Sequence, residues 1–480
     1  MQRQQRSAHN GRHGTRAGYT VIVMTSLAVI LAGCTTLGDL DAVTARIEQQ
    51  IHGGGSSRNT DNVNTGEERP GDAGPSEAPA TPAYPVSLVA PSRFVTWALD
   101  RNGGLWRWGA NDQDLGITPN ERITDETSPH RVFEDLRWRE VSAGPRFIAG
   151  ITEEGTLYTW GVNDRGLLGL GAEWYNTAWI GGLQSPAPEI RWRTVEAGFQ
   201  SVYAITEDGR LYAWGNHDDG RLGIGAIEET NPAVITVEAW RNETIVPIPA
   251  VPAPARVGGR SDWRTVTAGH NFALAITESG ELYAWGDNTY GQLGTGDRET
   301  RLEPVRVGTN TDWNYVSAGG RHVLGIRANG ELHAWGDNEM GQLGLGHRDS
   351  VTTPSRVGTR TDWISAAAYE GFLGLTTDQY SPASAAVTRE GILFTWGSNT
   401  TGQLGDLDAW SPDSIPFRTE PAALEAVGRG FISVAGGGGH ALAVRRNGDV
   451  YAWGFNRQRQ AGPFPWTGTD NVSPTKVALE

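Results

Sequence analysis

"ELYAWGDNTYGQLGTG", from Glu281 to Gly296, is written again fifty residues later as "ELHAWGDNEMGQLGLG", from Glu331 to Gly346. The pair Trp-Gly within it occurs seven times, at Trp108, Trp160, Trp214, Trp285, Trp335, Trp396 and Trp453, spaced by 52, 54, 71, 50, 61 and 57 residues. Self-similarity at this period marks supersecondary units that are stacked or closed into a ring. Five positions before each of these tryptophans stands a glycine: Gly103, Gly155, Gly209, Gly280, Gly330, Gly391 and Gly448. Only glycine takes positive φ at no steric cost, so each marks a hairpin turn between two short strands. Three positions before the tryptophan is a leucine, or Val450 in the last copy. One side of that strand is thus aliphatic, and the alternate side is mostly aromatic.

Further upstream, 22 positions before the Trp-Gly tryptophan, lies another large apolar residue: Trp138, Trp192, Trp263, Trp313 or Phe431. Its equivalent Trp363 lies 33 positions before Trp396, because "TTDQYSPASAA" lengthens that hairpin; the first unit has Val86. Each unit reads as several short strands opening near a P-x-x-V, as in "PARV" (Pro254 to Val257), "PVRV" (Pro304 to Val307) and "PSRV" (Pro354 to Val357). The first unit lacks this opening, and "PTKV" at Pro474 to Val477 supplies it. The expected fold is all-β and circular, closed by pairing of the N- and C-terminal segments so that no sheet edge is left free.

Gly-rich units with WGxNxxGQLG loops resemble the repeats of the regulator of chromosome condensation family, and the resemblance implies a seven-bladed β-propeller. It covers about Val86 to Glu480, with its best copies at Trp285 to Gly294, Trp335 to Gly344 and Trp396 to Gly405. The first copy, "WGANDQDLG", the third, where His217 replaces the asparagine, and the seventh, "WGFNRQRQAG", depart from the pattern. Kelch and WD40 propellers are the competing repeats, but the Trp-Gly and G-Q-L-G phase fits neither.

The first 33 residues contain Arg3, Arg6, Arg12 and Arg16, no acidic residue, and the apolar run "YTVIVMTSLAVILAGC" ending at Cys34. The run is short for a membrane span and has the form of a signal-peptide core. "LAGC" resembles the lipobox of bacterial lipoproteins, which implies cleavage before Cys34 and lipidation of its thiol; the alternative is a signal anchor with an incidental cysteine. Thr35 after the cysteine implies the outer membrane over inner-membrane retention. Residues 1–33 are therefore expected to be a signal peptide, 34–85 a lipidated flexible tether rich in Gly, Pro, Ser and Asn, and 86–480 the propeller. The formal net charge of −15 becomes −19 once the four leader arginines are removed. Such a surface repels phosphate backbones, which excludes nucleic acid as a partner.

Cys34 is the only cysteine and Lys476 the only lysine, so an intramolecular disulfide, a multi-cysteine zinc site and a lysine phosphate loop are all excluded. No G-x-S-x-G or H-E-x-x-H motif is present. His322 and His440 share a repeat position that other copies fill with Val95, Phe147, Ser201 and Phe272, which points to packing or backbone hydrogen bonding over catalysis. "NHDDG" (Asn216 to Gly220) lacks the alternating ligands of a calcium loop and reads as turn chemistry. No cofactor or metal is expected.

Fourteen of the 19 tryptophans have a packing role in the repeat; Trp174, Trp179, Trp240, Trp410 and Trp466 do not. All five fall after a WGxNxxGQLG segment and before the next upstream apolar position, and equal phase in a ring means one face of the disc. The segments carrying them are also the most variable, as after Gly171, Gly225 and Gly405. Aromatic, Pro-rich loops on a rigid ring suit recognition, and the candidate ligand-binding residues are Trp174, Tyr175, Trp179, Trp240, Arg241 and Trp410. The alternative is that long loops use these rings to pack against the disc.

The resulting expectation is a monomeric, non-enzymatic recognition scaffold, lipid-anchored in the bacterial cell envelope, that binds another envelope or extracellular protein through one propeller face. The alternative is a glycan or cell-wall binding module, since aromatic rings stack on sugars while carboxylates and amides bind their hydroxyls. The family resemblance brings further activities. Guanine-nucleotide exchange on a nuclear GTPase and nucleosome binding fit neither an envelope address nor the acidic charge. Ultraviolet sensing depends on a GWRHT-type motif, where this chain reads "AGFQS" (Ala197 to Ser201), "AGHNF" (Ala268 to Phe272) and "AGGRH" (Ala318 to His322). β-Lactamase inhibition, known for similar bacterial propellers, and an enzyme site assembled in the central channel are further alternatives.

Overall fold

The computed structural model describes residues 86–91, 95–109, 126–174, 179–226, 235–241, 244–369, 371, 380–406, 417–456, 460–462 and 471–479. Cys34, the 1–33 leader, the 34–85 tether, Tyr175, Trp410 and Trp466 lie outside the described residues. Seven antiparallel sheets follow one another as blades 1 (86–132), 2 (138–184), 3 (192–256), 4 (263–306), 5 (313–356), 6 (363–423) and 7 (431–477). Six have four strands and blade 3 has five. The inner strand of each blade packs on the inner strands of the one before, and blade 1 packs on blade 7, so the ring closes.

The repeat pattern is explained by contacts between blades. Each hairpin glycine joins the second and third strands of its blade, with φ between 76° and 90°. In blades 1 to 6 its carbonyl accepts the N–H of the upstream apolar residue that opens the next blade, as in Trp138 N–H to Gly103 O (2.9 Å), Trp263 to Gly209 (3.1 Å) and Trp313 to Gly280 (3.1 Å). A side chain has no room here. At Gly330 an added Cβ would lie 2.1 Å from the Thr361 carbonyl oxygen of the following blade. The Trp-Gly tryptophans are fully buried, and the indole N–H of five of them reaches back to the preceding blade, as in Trp335 to Gln292 O (3.0 Å), Trp396 to Gln342 O (2.9 Å) and Trp453 to Gln403 O (2.9 Å). Within a blade the opening tryptophan meets the third strand's rings edge-on, as Trp263 with Tyr283 at 5.4 Å and Trp192 with Tyr212 at 5.5 Å. One blade cannot bury both faces of its sheet; seven in a ring can.

Two details differ from the sequence expectation. The P-x-x-V segments end blades: "PVRV" and "PSRV" lie at the outer strands Arg301–Arg306 and Val351–Arg356, and "PTKV" at Asn471–Val477. Proline lacks an N–H for the ladder and is confined to sheet edges, so the outer strand is where it fits. Blade 1 has its own such segment, "PHRV" at 129–132. Consequently the first and last described strands are not paired with each other. Val86–Pro91 pairs with Val95–Asp100, and Asn471–Val477 with Val450–Gly454; no sheet among the described residues contains strands from both ends. Side-chain packing closes the ring instead: one core joins Trp97, Trp106 and Trp108 to Leu442, Val444 and Val450, and Thr96 Oγ1 donates to Gln460 O at 2.7 Å.

Candidate functional site

An antiparallel meander sends alternate connections to opposite ends of the sheet. On one face the second-to-third turns have four residues in every blade, and the links from outer strand to next blade have five to seven. On the other face the third-to-outer connections have 14 to 18 residues in six blades. The remaining one, in blade 3, holds an additional strand, and the first-to-second link of blade 6 has 14 residues where the other blades have three. The long connections are therefore all on one face. The "TTDQYSPASAA" insertion belongs to it too, since that long link of blade 6 is 369–382.

The WGxNxxGQLG loops on this face hold themselves together. Asn288, Asn338 and Asn399 each accept through Oδ1 the N–H of the motif leucine, at 3.0, 3.0 and 2.9 Å. Gln292, Gln342 and Gln403 accept the N–H two residues back, at 2.8, 2.9 and 2.7 Å. The next glycine clips the following blade's outer strand: Gly296 N–H to Thr352 O (2.9 Å) and Gly346 N–H to Thr419 O (2.8 Å). These polar groups are spent on structure, and the motif is a frame for what projects from it.

Trp174 is such a projection. It ends the 3-10 turn Ala172–Trp174 and is 45 % exposed, in contrast to the buried repeat tryptophans. Asn163, the motif asparagine of blade 2, accepts Leu168 N–H at 2.9 Å and donates through Nδ2 to Trp174 O at 2.8 Å. The frame thus fixes the backbone from which the ring extends. The same loop is clipped to blade 3 by Gly171 N–H to Pro252 O at 2.9 Å. Trp179 begins the outer strand of blade 2, Trp179–Gln184, opposite Val162.

The segment after Gly225, read above as a loop, contains two strands. Ile235–Arg241 pairs with the first half of Thr244–Arg256, whose second half is the outer strand of blade 3. The ladder to the blade ends at Ala250, with a last bond from His217 N–H to Pro249 O (2.9 Å), and pairing to Ile235 starts there, so the hairpin extends past the blade as an arm. Trp240 and Arg241 lie near its tip, opposite Ile245 and Thr244. Six residues at ~3.3 Å each put that tip roughly 20 Å beyond the blade. Trp174 and Trp240 therefore belong to adjacent blades and one face, but sit at the base and the tip of different projections.

Sequence reasoning missed some aromatic groups of this face. The Arg321 guanidinium lies between the Tyr290 and Tyr380 rings, at 4.7 and 4.6 Å from their centroids, and Arg348 covers the half-exposed Phe417 at 4.7 Å. Tyr290 stands where other copies have Met340 and Thr401, so no repeat signal marks it.

Several titratable groups inside the ring are held by burial and by bonds between blades. His322 and His440 are fully buried; His322 Nε2 hydrogen-bonds Ser384 Oγ at 3.0 Å, and burial pushes both imidazoles down to about 3. Glu140 Oε1 accepts Thr194 Oγ1 at 2.7 Å between blades 2 and 3, and burial raises its carboxyl to about 7 against the pull of that bond and of Arg139 and Arg193. Asp218–Gly220 of "NHDDG" is a 3-10 turn whose Asp219 faces Arg221 at 3.6 Å. Among the described residues no three His, Cys, Asp or Glu side chains are grouped to hold a metal ion.

A family model described as an RCC1-like domain matches residues 65–416, and RCC1 repeat models match 390–444 and 431–460. The human E3 ubiquitin-protein ligase HERC2 is 30 % identical over 77 % of this chain, which spans only 7 % of that protein's length. The ultraviolet-B receptor UVR8 of Arabidopsis thaliana is 27 % identical over 82 % of this chain and 68 % of its own. Among solved structures, Prp20p from Saccharomyces cerevisiae superposes with a TM-score of 0.62 at 21 % identity, covering 82 % of this chain and 88 % of Prp20p. Human WBSCR16 gives 0.59 at 19 % identity, covering 80 % and 93 %. At these identities the structures share the fold.

Proposed function

The chain belongs to the regulator of chromosome condensation (RCC1) repeat family, and from that premise we propose that it is a non-enzymatic recognition scaffold that binds another protein through the long-loop face of its propeller. The observation that carries the reading is the asymmetry of the disc: every long connection, the blade 6 insertion, the blade 3 arm and the exposed Trp174 ring lie on one side. A preformed ring presenting fixed loops binds without a large ordering cost. Binding to protein is also what the Prp20p structure is described with, its partners there being Gsp1p and histones.

The partner proposed here is an envelope or extracellular protein, because the leader ending in "LAGC" at Cys34 reads as a lipoprotein signal and the tether to residue 85 would hold the ring away from a membrane. The loop-face residues assigned to contact are Trp174, Tyr175, Trp179, Trp240, Arg241 and Trp410. Affinity capture from envelope extract tests this, comparing the full chain with a form in which 227–249 is replaced by a short Gly-Ser link. A defined protein taken by the full chain and lost by the trimmed, equally stable form is the expected result. Equal capture by both, or capture only of insoluble glycan in a sedimentation assay, overturns it.

A further inference from the structure

The blade 3 arm has two long sides, and they are not equivalent. In an antiparallel ladder alternate residue pairs exchange both N–H···O=C bonds, while the pairs between them exchange none. Along the arm Pro247 lies opposite Glu238 and Pro249 opposite Thr236. Neither proline has an N–H, so these are non-exchanging pairs. The two-residue link from Arg241 to Thr244 gives the same phase, because the pair that closes such a hairpin is an exchanging one. The N–H and C=O groups of Thr236, Glu238 and Trp240 therefore point away from the partner strand, along an edge that ends its sheet among the described residues. On the arm's opposite edge, the outward positions at 247 and 249 are the two prolines.

Proline on an outer strand blocks pairing with a further strand. Five other outer strands of the ring carry one: Pro129, Pro304, Pro354, Pro421 and Pro474. Blade 2's outer strand has none but is interrupted by Gly181 and Gly182. Ile235–Arg241, "ITVEAWR", has neither proline nor glycine and is rich in residues that favour strands. Among the described residues it is the one outer edge free of proline and glycine, left in a state to accept another strand.

Charge selects among the strands it would accept. The chain beyond the leader carries −19, and although Arg241 offsets Glu238 along the edge and Arg165 pairs with Asp164 at 3.0 Å, Glu173 adds a further carboxylate on the 3-10 turn beside the base of the arm. We propose that the edge Ile235–Arg241 is a strand-addition site for an extended, positively charged segment of the partner protein. This rests on the loop-face reading and adds to it the mode of binding and the chemistry of the partner. Main-chain hydrogen bonds supply affinity in this mode, while charge steers approach.

The test uses the full chain and a synthetic peptide of alternating valine and arginine, beside a copy with alternate backbone amides N-methylated and one with glutamate in place of arginine. E238P removes one outward N–H and no bond within the arm; E238Q removes the same charge and keeps the N–H. The expected result is binding of the arginine peptide alone, weakened about tenfold or more by E238P and within about threefold of wild type in E238Q, with unchanged melting of both variants. Equal binding of the N-methylated peptide, equal binding by E238P, or no binding of the arginine peptide overturns strand addition. If strand addition fails in this way while partner capture is still lost on trimming 227–249, the loop-face reading stands; if capture also survives trimming, both fall.

Discussion

Two kinds of buried residue give the ring opposite responses to pH. Glu140 has a folded value near 7 against 4.5 for an ordinary glutamate. Between those values the native state keeps a proton that the unfolded chain has released. Stability from this group is thus complete below 4.5, falls as pH rises to 7 and stays low above, a loss of roughly 3 kcal/mol for a shift of this size. E140Q keeps the shape without the charge, so its melting temperature should exceed that of wild type at pH 8 and the difference should vanish at pH 4. His322 and His440 act in the other sense. Their folded values near 3 lie under the ordinary 6.5, so the unfolded chain takes up protons first, and stability is lost as pH falls from 6.5 towards 3. Denaturant midpoints measured from pH 4 to 7 should rise with pH, and H440N should flatten that limb. The tryptophans divide in the same residue-by-residue way. W335A, at a fully buried ring, should cost about 3–5 kcal/mol, whereas W174A should change stability by less than about 1 kcal/mol and lower partner capture.

At the scale of elements, what repeats was legible and what occurs once was not. The hairpin glycines, the Trp-Gly strands and the upstream tryptophans stand in fixed phase because every blade meets the same neighbours, and the structure places them as the phase required. The P-x-x-V segments are visible in the sequence and read as opening each blade, whereas they end it; the missing N–H of proline already favours an outer strand. The arm was hidden by its own sequence. Pro247, Pro249, Pro252 and Pro254 weaken the strand signal of Thr244–Arg256, while the alternation in "ITVEAW" and the two-residue gap before "TIV" were the available clues. For the candidate site, the shared phase of Trp174, Trp179 and Trp240 gave their common face, but Tyr290, Arg321 and Tyr380 meet only in three dimensions. N338A tests the loop frame: it strips the Leu343 N–H of its acceptor and should cost about 1–3 kcal/mol, read by chemical denaturation.

For the whole molecule, closure and charge set behaviour. Since no sheet among the described residues combines strands from blades 1 and 7, the seam between them depends on packing around Trp97 and on bonds such as Thr96 Oγ1 to Gln460 O. T96A should lower stability by about 1 kcal/mol and speed exchange of the amide protons of 95–100 before those of blade 4. The net acidity predicts that partner association weakens as added salt shortens the Debye length from ~10 Å at 0.1 M to ~3 Å at 1 M. Both effects surround the central claim, that one face of the disc does the recognising. The most direct measurement is photo-crosslinking in envelope extract from a benzophenone side chain at Trp174, compared with the same group at Gly259, in a short link on the opposite face where a side chain meets nothing within 4 Å. The account predicts a discrete protein adduct from position 174 and none from 259; adducts from 259 alone, or the same adduct from both, would contradict it.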